Sequence, residues 1–296
     1  SVWNIMFRPN IQVSKNDGQT VSTSAAYGAD PYEIVDDPLS AAAIAQLKAR
    51  GLMVNSQQNT TITYGDNSSL GAMLQVNRRL GKKGRNVTLR MDGDYTDADS
   101  RTFSTQDLQY FQLRDALGND STYRAYRFNL MPTKSRDYAV QATYSEPIAR
   151  KTYLQFSYQF KYGLSKSTRD TYDFSALPAA TFSGVHPAYR SWNSYLGLLA
   201  QPVDSYLDGS LSRCSEYRTY THDVQVMLRM IRSRWKMNVG VMLQPQRSTY
   251  RQDYLGVHVD TARTVVNSSP TFDFRYRFSE QSNLRINYKG TATQPT

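Results

Sequence analysis

The alternation of residues 152–164 constrains this chain more than any other feature. From Leu154 onward its even-numbered positions are apolar or aromatic, and its odd-numbered positions are polar or small. Side chains on a strand point to opposite faces in turn, so the segment predicts one apolar face and one polar face. Similar alternation recurs along the chain and predicts nine strands: Val2–Ser14, Leu70–Arg78, Asn86–Thr96, Tyr138–Tyr144, Thr152–Ser165, His222–Ile231, Trp235–Gln244, Thr271–Phe278 and Asn283–Gly290.

The predicted connections alternate strictly between short and long. The short ones are Leu80–Arg85, Ser145–Lys151, Arg232–Arg234 and Ser279–Ser282, and the long ones run over residues 15–69, 97–137, 166–221 and 245–270. A Greek-key sandwich has no reason to alternate in this way, whereas outer-membrane barrels have tight periplasmic turns and long extracellular loops. The sequence therefore predicts an all-β fold. We expect residues 1–296 to be part of one antiparallel up-and-down transmembrane β-barrel domain, with the plug and the remaining strands absent.

The apolar strand positions are expected to face lipid. They are Leu154, Phe156, Tyr158, Phe160, Val224, Val226, Leu228, Val239, Val241, Phe272 and Phe274. Aromatic residues beside the short turns are expected to form an interfacial girdle, namely Trp3, Tyr144, Tyr153, Trp235 and Phe278. The alternative is a soluble β protein whose aromatic residues are buried against a second sheet.

Two predicted strands are longer than a bilayer requires. The segments Thr219–Ile231 and Trp235–Tyr250 exceed the about 9–11 residues that span it. We expect them to project outward as a β-ribbon, with Pro245 near the start of that projection at an edge or a bulge.

One short helix is predicted in the first long loop, over residues 39–50. Asp37 is its expected N-cap, a proline follows at the first helical position, and Gly51 ends it. Ile44 and Leu47 share one face, which should contact the barrel rim or a partner.

Composition is compatible with this fold and argues against other classes. The chain is basic, with a net charge of +10 and a mean hydropathy of −0.59. These values suit a soluble protein, but they equally suit a barrel with a polar lumen and hydrophilic loops. Basic residues are scattered among acids without any nucleic-acid-binding motif, so no nucleic-acid partner is expected. Cys214 is the single cysteine and forms no internal disulfide.

Charged residues on the opposite strand face are expected to line the lumen. They are Arg90, Asp92, Asp94, Asp223, Arg229, Asp273, Arg275, Arg277, Arg285 and Lys289. One hypothesis is a polar wall that contacts a plug or a substrate. The alternative, favoured for any single residue, is cross-strand ion pairing that holds the wall, as between Asp273 and Arg285.

No catalytic constellation is recognisable, so we expect no enzyme activity, no cofactor and no metal site. His186, His222 and His258 lack metal-ligand spacing, and no nucleophile elbow or phosphate-binding loop is present. A lipase-like pair of His222 with a serine is a minor alternative. Calcium binding by an acidic loop cluster is another minor alternative, and the cluster comprises Asp30, Glu33, Asp36 and Asp37.

Several segments resemble a known family. Residues 84–90, 272–279 and 283–290, with the following Gln294-Pro295, are similar to the barrel of TonB-dependent-receptor-like outer membrane proteins, specifically the outer membrane protein beta-barrel family. The resemblance implies a barrel of about 22 strands with an N-terminal plug and a TonB box. It also implies uptake of a nutrient or siderophore. Nine strands without a plug or TonB box correspond to an internal segment of such a barrel.

The first hypothesis for function is therefore a TonB-dependent-type uptake receptor in the cell outer membrane. Its expected partners are outer-membrane lipid and lipopolysaccharide, a plug domain, the TonB complex and a surface lipoprotein. The second hypothesis is a structural or secretion-associated outer-membrane barrel. The third is a soluble extracellular β protein that binds glycans.

Overall fold

The computed structural model describes residues 2–81, 84–182 and 193–290. Nine antiparallel strands form one sheet in sequence order, so every neighbour along the chain is a neighbour in space. This confirms the predicted all-β, up-and-down fold. The strands are β1 (Trp3–Tyr27), β2 (Met53–Arg79), β3 (Asn86–Arg114), β4 (Asp120–Ala149), β5 (Thr152–Asp173), β6 (Arg213–Ile231), β7 (Trp235–Tyr254), β8 (Val257–Arg277) and β9 (Asn283–Lys289).

Strands β1–β8 are much longer than predicted, at 19 to 30 residues. The expected long loops over residues 15–69, 97–137 and 245–270 are wrong for most of their length, because they are paired strand. Apart from a buried aromatic patch around Phe103, their outer halves carry polar residues at many positions on both faces, so regular apolar alternation ends there while backbone pairing continues. At one tip Leu255 and Gly256 both have positive φ, as a two-residue hairpin turn requires.

Strands β6 and β7 stay paired over the predicted extra length, while their projection beyond a bilayer stays a prediction. Pairing between them continues from the Thr221–Gln246 pair to the Cys214–Asp253 pair. The ladder is interrupted between Leu243 and Gln246, at Pro245, which has no N–H to donate.

The connection between β5 and β6 contains the main packed core. Its described parts, residues 174–182 and 193–212, are called the outer cap. They include 3-10 turns at Ala179–Phe182 and Val203–Tyr206 and a short α-helix at Asn193–Leu196. Phe103 on β3 is 1% exposed and lies with its ring centroid 4.4 Å from that of Tyr195. The outer cap therefore covers an aromatic patch on the outer half of the sheet.

Helix α1 spans Ala41–Ala49, and a further 3-10 turn covers Pro31–Glu33. The predicted N-cap is wrong: Ser40 caps the helix by accepting from Ala43 N, while Asp37 accepts from Leu39 N in the preceding turn. A serine hydroxyl is as good a cap as a carboxylate, and the turn around Asp37 consumes the carboxylate locally. The predicted end is confirmed, since Gly51 follows at φ 69°.

Both sheet edges are open in the part of the chain that the structure describes. There β1 pairs only with β2, and β9 pairs only with β8. β9 covers only Thr271–Arg277 of β8, so residues 257–270 of β8 have no strand on that side. No helix in the described ranges has the length and hydropathy needed to cross a membrane.

Candidate membrane-facing band and polar wall

Strand register puts the apolar positions on one face of the sheet. Directly paired residues in antiparallel strands point to the same side. Tyr158 pairs with Ala142 and Val224, and a continuous row extends from Ala142 through Leu89 and Val76 to the edge strand. All eleven positions that were predicted to be apolar and outward share this face, which we call the apolar band: Leu154, Phe156, Tyr158, Phe160, Val224, Val226, Leu228, Val239, Val241, Phe272 and Phe274.

Many apolar side chains on this face are uncovered. Ile5 is 66% exposed, Phe156 43% and Tyr158 45%. A soluble sandwich would bury such positions under a second sheet, but the described residues form a single sheet. Farther out on the same face, the aromatic patch around Phe103 is buried by the outer cap. The chain thus covers its outer apolar patch and leaves the band open.

Aromatic rows bound the band on both sides. On the outer side Tyr138, Tyr162 and Tyr220 are paired neighbours, with successive ring centroids 6.1 and 5.2 Å apart. On the inner side, beside the short turns, Trp3 lies under the Arg78 guanidinium at 4.6 Å. Tyr144, Trp235, Tyr276 and Phe278 also lie on that inner side.

The prediction that Tyr153 belongs to the inner girdle is wrong. Tyr153 pairs with Arg229 and lies on the polar face. There its ring occupies the space beside Gly84, where an added Cβ would be 2.4 Å from a ring carbon. The prediction used only the distance of Tyr153 from a turn. Whether a residue is at an odd or even position in its strand decides which face its side chain is on.

The height of the band matches a bilayer. From Leu154 to Tyr162 the strand rises about 26 Å at about 3.3 Å per residue. The segment contains nine residues, and a transmembrane strand tilted by about 45° needs about 9–11 residues to span the bilayer.

The apolar face becomes charged immediately outside the tyrosine row. Across the strands, Asp97, Lys134, Lys166, Glu216 and Arg251 are successive paired neighbours. The Lys134 ammonium lies 3.8 Å from the Asp97 carboxylate. Such a row suits water or polar headgroups and marks a sharp outer limit to the band.

A cavity of about 500 Å³ lies at this limit. Arg218, Tyr220 and Arg247 line it together with His222. The His222 Nδ1 is 2.7 Å from the Tyr158 hydroxyl, so this histidine contacts an aromatic residue of the band. We call this cavity the boundary cavity.

The predicted lumen residues share the other face. They are Arg90, Asp92, Asp94, Asp223, Arg229, Asp273, Arg275, Arg277, Arg285 and Lys289, here called the polar wall. Several form ion pairs along the wall: Arg90 with Asp92 at 2.8 Å, Asp223 with Lys161 at 3.1 Å and Asp273 with Arg285 at 3.4 Å. The predicted Asp273–Arg285 pair is therefore present.

A second cavity lies on the polar face, and the sequence did not predict it. We call it the outer cavity. Arg169 on β5 and Arg213 on β6 line it. Both residues fall in the segment that was predicted to be a loop. The alternation from Lys166 to Asp170 is polar throughout, so it gave no contrast between faces that could mark a strand.

A hydrogen bond between a tyrosine and an aspartate links β4 to β3 in the outer half of the sheet. The Tyr126 hydroxyl donates to an Asp107 carboxylate oxygen at 2.6 Å. Burial, and then this carboxylate, raises the pKa of Tyr126 to about 12. The phenol therefore keeps its proton, and with it this hydrogen bond, to a higher pH than an ordinary tyrosine would.

Two of the candidate calcium ligands, Asp30 and Asp37, accept hydrogen bonds from nearby backbone N–H groups. In the described ranges no group of three or more His, Cys, Asp or Glu side chains is placed to hold a metal ion. The Asp30 carboxylate accepts from Tyr32 N at 2.9 Å, as expected for a solvated loop turn. His186 lies outside the described residues.

Comparisons with known proteins identify no family for this chain. No family model matches it, and no curated protein matches it at a significant level. Among solved structures it is similar to the ferric yersiniabactin uptake receptor FyuA from Yersinia pestis, with a TM-score of 0.36, 9% identity, and coverage of 77% of this chain and 37% of that one.

Two further structures are similar. The ferric citrate transporter FecA gives a TM-score of 0.37 and 12% identity, covering 79% of this chain and 36% of that chain. The ferric-catecholate import receptor Fiu from E. coli in its open form gives 0.37 and 10%, covering 94% and 53%. The chain spans about a third to a half of the length of these structures. We draw no conclusion about function from likeness at this level.

Proposed function

We propose that this chain forms part of an outer-membrane β-barrel, with the apolar band toward lipid and the polar wall toward the lumen. The uncovered band, bounded by aromatic rows and then by charges, carries this proposal. A sheet with one such face would aggregate in water, whereas lipid provides the solvent that the band requires. The open edges of β1 and β9 would pair with the remaining strands of the barrel, because an unpaired edge is not tolerated in the bilayer.

Lipopolysaccharide is the lipid partner that fits the outer limit of the band. The boundary cavity presents Arg218 and Arg247 directly above apolar side chains. A phosphate on a lipid headgroup would meet both guanidinium groups while its acyl chains cover the band.

The transport role follows from the proposed barrel and from the family resemblance. The chain would supply wall strands of a TonB-dependent-type receptor that takes up a nutrient or siderophore. A plug domain and the TonB complex would act through parts of the protein outside this chain, and a surface lipoprotein would contact the outer hairpins. No enzyme activity and no cofactor are part of this proposal.

A structural or secretion-associated barrel is the second candidate. The ion pairs along the polar wall favour it, because paired charges stabilise a wall without binding a solute. Deleting the gene and comparing growth on single iron or carbon sources, with and without an active TonB system, separates the two. A growth defect that requires TonB supports uptake, whereas an envelope defect without a nutrient phenotype supports the second candidate.

Adjacent substitutions on opposite faces test the lipid assignment. Phe156→Arg puts a charge in the band, and Ser157→Arg puts the same charge on the polar face of the same strand. We expect Phe156→Arg to lower the free energy of unfolding in lipid vesicles by about 2–4 kcal/mol, the cost of arginine near the bilayer midplane. Ser157→Arg should change it far less. Equal losses in urea unfolding would exclude a lipid-facing band.

A further inference from the structure

The outer cavity holds two cations in an arrangement that the fold alone does not explain. It encloses about 490 Å³, within the range of small-molecule sites. Arg169 and Arg213 are directly opposed across β5 and β6. Like charges at directly opposed positions destabilise a sheet, so the pair costs stability unless something anionic lies between them.

No acid in the cavity lining compensates this charge. The lining contains Arg169 and Arg213 but no carboxylate. The nearest acids along these strands, Asp170 and Glu216, have the opposite parity and lie on the other face. Asp173 is on the same face, but its carboxylate accepts hydrogen bonds from the backbone and the hydroxyl of Ser175.

In the lining of the outer cavity, one buried guanidinium nitrogen has no hydrogen-bond partner. Arg169 Nε is buried from solvent and forms no hydrogen bond in the structure. An unsatisfied buried donor is costly, and more so when it is charged. An acceptor from a bound ligand would satisfy it.

Neutral polar groups complete the cavity. Ser167 and Ser215 are paired neighbours beside the two arginines. The Tyr250 hydroxyl donates to Gln252 Oε1 at 3.2 Å, which leaves the Gln252 amide N–H groups to serve as donors toward a ligand. The site therefore combines two cations with several neutral donors, as recognition of an oxyanion on a hydroxylated solute requires.

We propose that the outer cavity binds a small solute through a carboxylate or phosphate group, held between Arg169 and Arg213. This inference rests on the proposed barrel. In that barrel the polar face lines the lumen, and the outer cavity is a binding site near the extracellular opening. It narrows the substrate class of the proposed receptor to anionic solutes.

A double substitution tests the site in the detergent-purified protein. Arg169→Gln with Arg213→Gln removes the two cations. The control, Lys166→Gln with Arg251→Gln, removes two positive charges at nearly the same height from the opposite face. Citrate, pyrophosphate and the neutral sugar raffinose are titrated calorimetrically at low ionic strength.

We expect the unmodified protein to bind citrate, pyrophosphate or both. The cavity variant should bind them at least tenfold more weakly, and the control should stay within twofold. Binding of citrate alone assigns the carboxylate, and binding of pyrophosphate alone assigns the phosphate. The proposal is overturned if neither anion binds, if raffinose binds equally well, or if the control loses as much affinity as the cavity variant.

Two further measurements separate this result from folding and from the proposed function. Removing the opposed charges should leave the melting temperature unchanged or raised, so a fall in melting temperature together with lost binding is attributed to misfolding. In that case anion binding is measured for the single variants Arg169→Lys and Arg213→Lys, which keep the positive charge. If both still bind the anion, the guanidinium groups are not required. Sedimentation with the outer membrane reports on the barrel independently of anion binding.

Discussion

At the residue scale, register decides the environment of a side chain more than its chemistry does. Tyr158 and Tyr153 are the same residue type on the same strand, yet one lies on the apolar face and the other on the polar face. Parity can be read from the sequence wherever the two faces differ in polarity, and the register puts the members of each predicted set on one face of the sheet. The error at Tyr153 arose from proximity to a turn, a cue that carries no information about the face.

Glycines on the polar face differ in how much space is available for a side chain at their position. A Cβ on Gly240 would lie 2.8 Å from Val226 O and 3.2 Å from Met227 Cα, both backbone atoms of the neighbouring strand. Gly240→Val should therefore lower the free energy of unfolding by about 1–3 kcal/mol, since the strands must separate locally. Urea unfolding in detergent measures it.

The matched control is Gly65→Val, on the polar face of β2. Its added Cβ would have no neighbour closer than 3.9 Å, and valine favours strands. We expect the unfolding free energy to change by no more than about 0.5 kcal/mol, as at other unconstrained sites. A loss at Gly65 equal to that at Gly240 would show that the close approach at Gly240 is not the cause.

At the scale of elements, the sequence predicted which strands exist but not how far they reach. The inner part of β5 alternates in polarity, which predicts a strand, whereas residues 166–171 are polar on both faces and carry no such signal. Backbone hydrogen bonds hold these outer halves together, and a single sequence does not encode them by hydrophobic pattern. For the same reason the outer cavity could not be anticipated.

The Asp120 carboxylate links helix α1 to the β3–β4 hairpin, beside the contact of Lys48 with the Phe111 ring. Lys48 Nζ lies 2.8 Å from Asp120 Oδ2, and Arg114 Nη1 lies 2.5 Å from Asp120 Oδ1. The hydrogen bond from Lys48 and its charge, with that of Arg114, lower the pKa of Asp120. A carboxylate with a lowered pKa in the folded state stabilises it above the unfolded value of 3.8 and loses that contribution as the pH falls through the folded pKa.

We therefore expect helix α1 to loosen below pH 3.8. Hydrogen exchange of the Ala41–Ala49 amides, corrected for intrinsic rates, should accelerate between pH 6 and pH 3. Asp120→Asn should raise the exchange at pH 6 and abolish most of this pH dependence. Asp260→Asn, on β8, is the control and should leave it intact. An unchanged pH dependence in Asp120→Asn would contradict the role of this contact.

At the scale of the whole molecule, the two ends of the sheet differ in kind. Short turns such as Arg232–Arg234 follow directly on the apolar band, whereas the other end extends far beyond it into paired hairpins, an outer cap and helix α1. The alternation of connection lengths predicted this difference between the two ends, although three of the four long connections are strand for most of their length. In a barrel the longer side faces outward, so the outer cavity and the boundary cavity would both lie on the cell surface side.

Cysteine labelling in intact cells tests this orientation. In a Cys214→Ser background, Asn119→Cys lies in the β3–β4 connection and Ser233→Cys lies in the short β6–β7 turn. A membrane-impermeant maleimide should label Asn119→Cys in intact cells and reach Ser233→Cys only after the outer membrane is permeabilised, because the bilayer separates the two ends. Labelling of both positions in intact cells would contradict a spanning sheet. Labelling of Ser233→Cys alone would invert the proposed orientation and place the anion site on the periplasmic side.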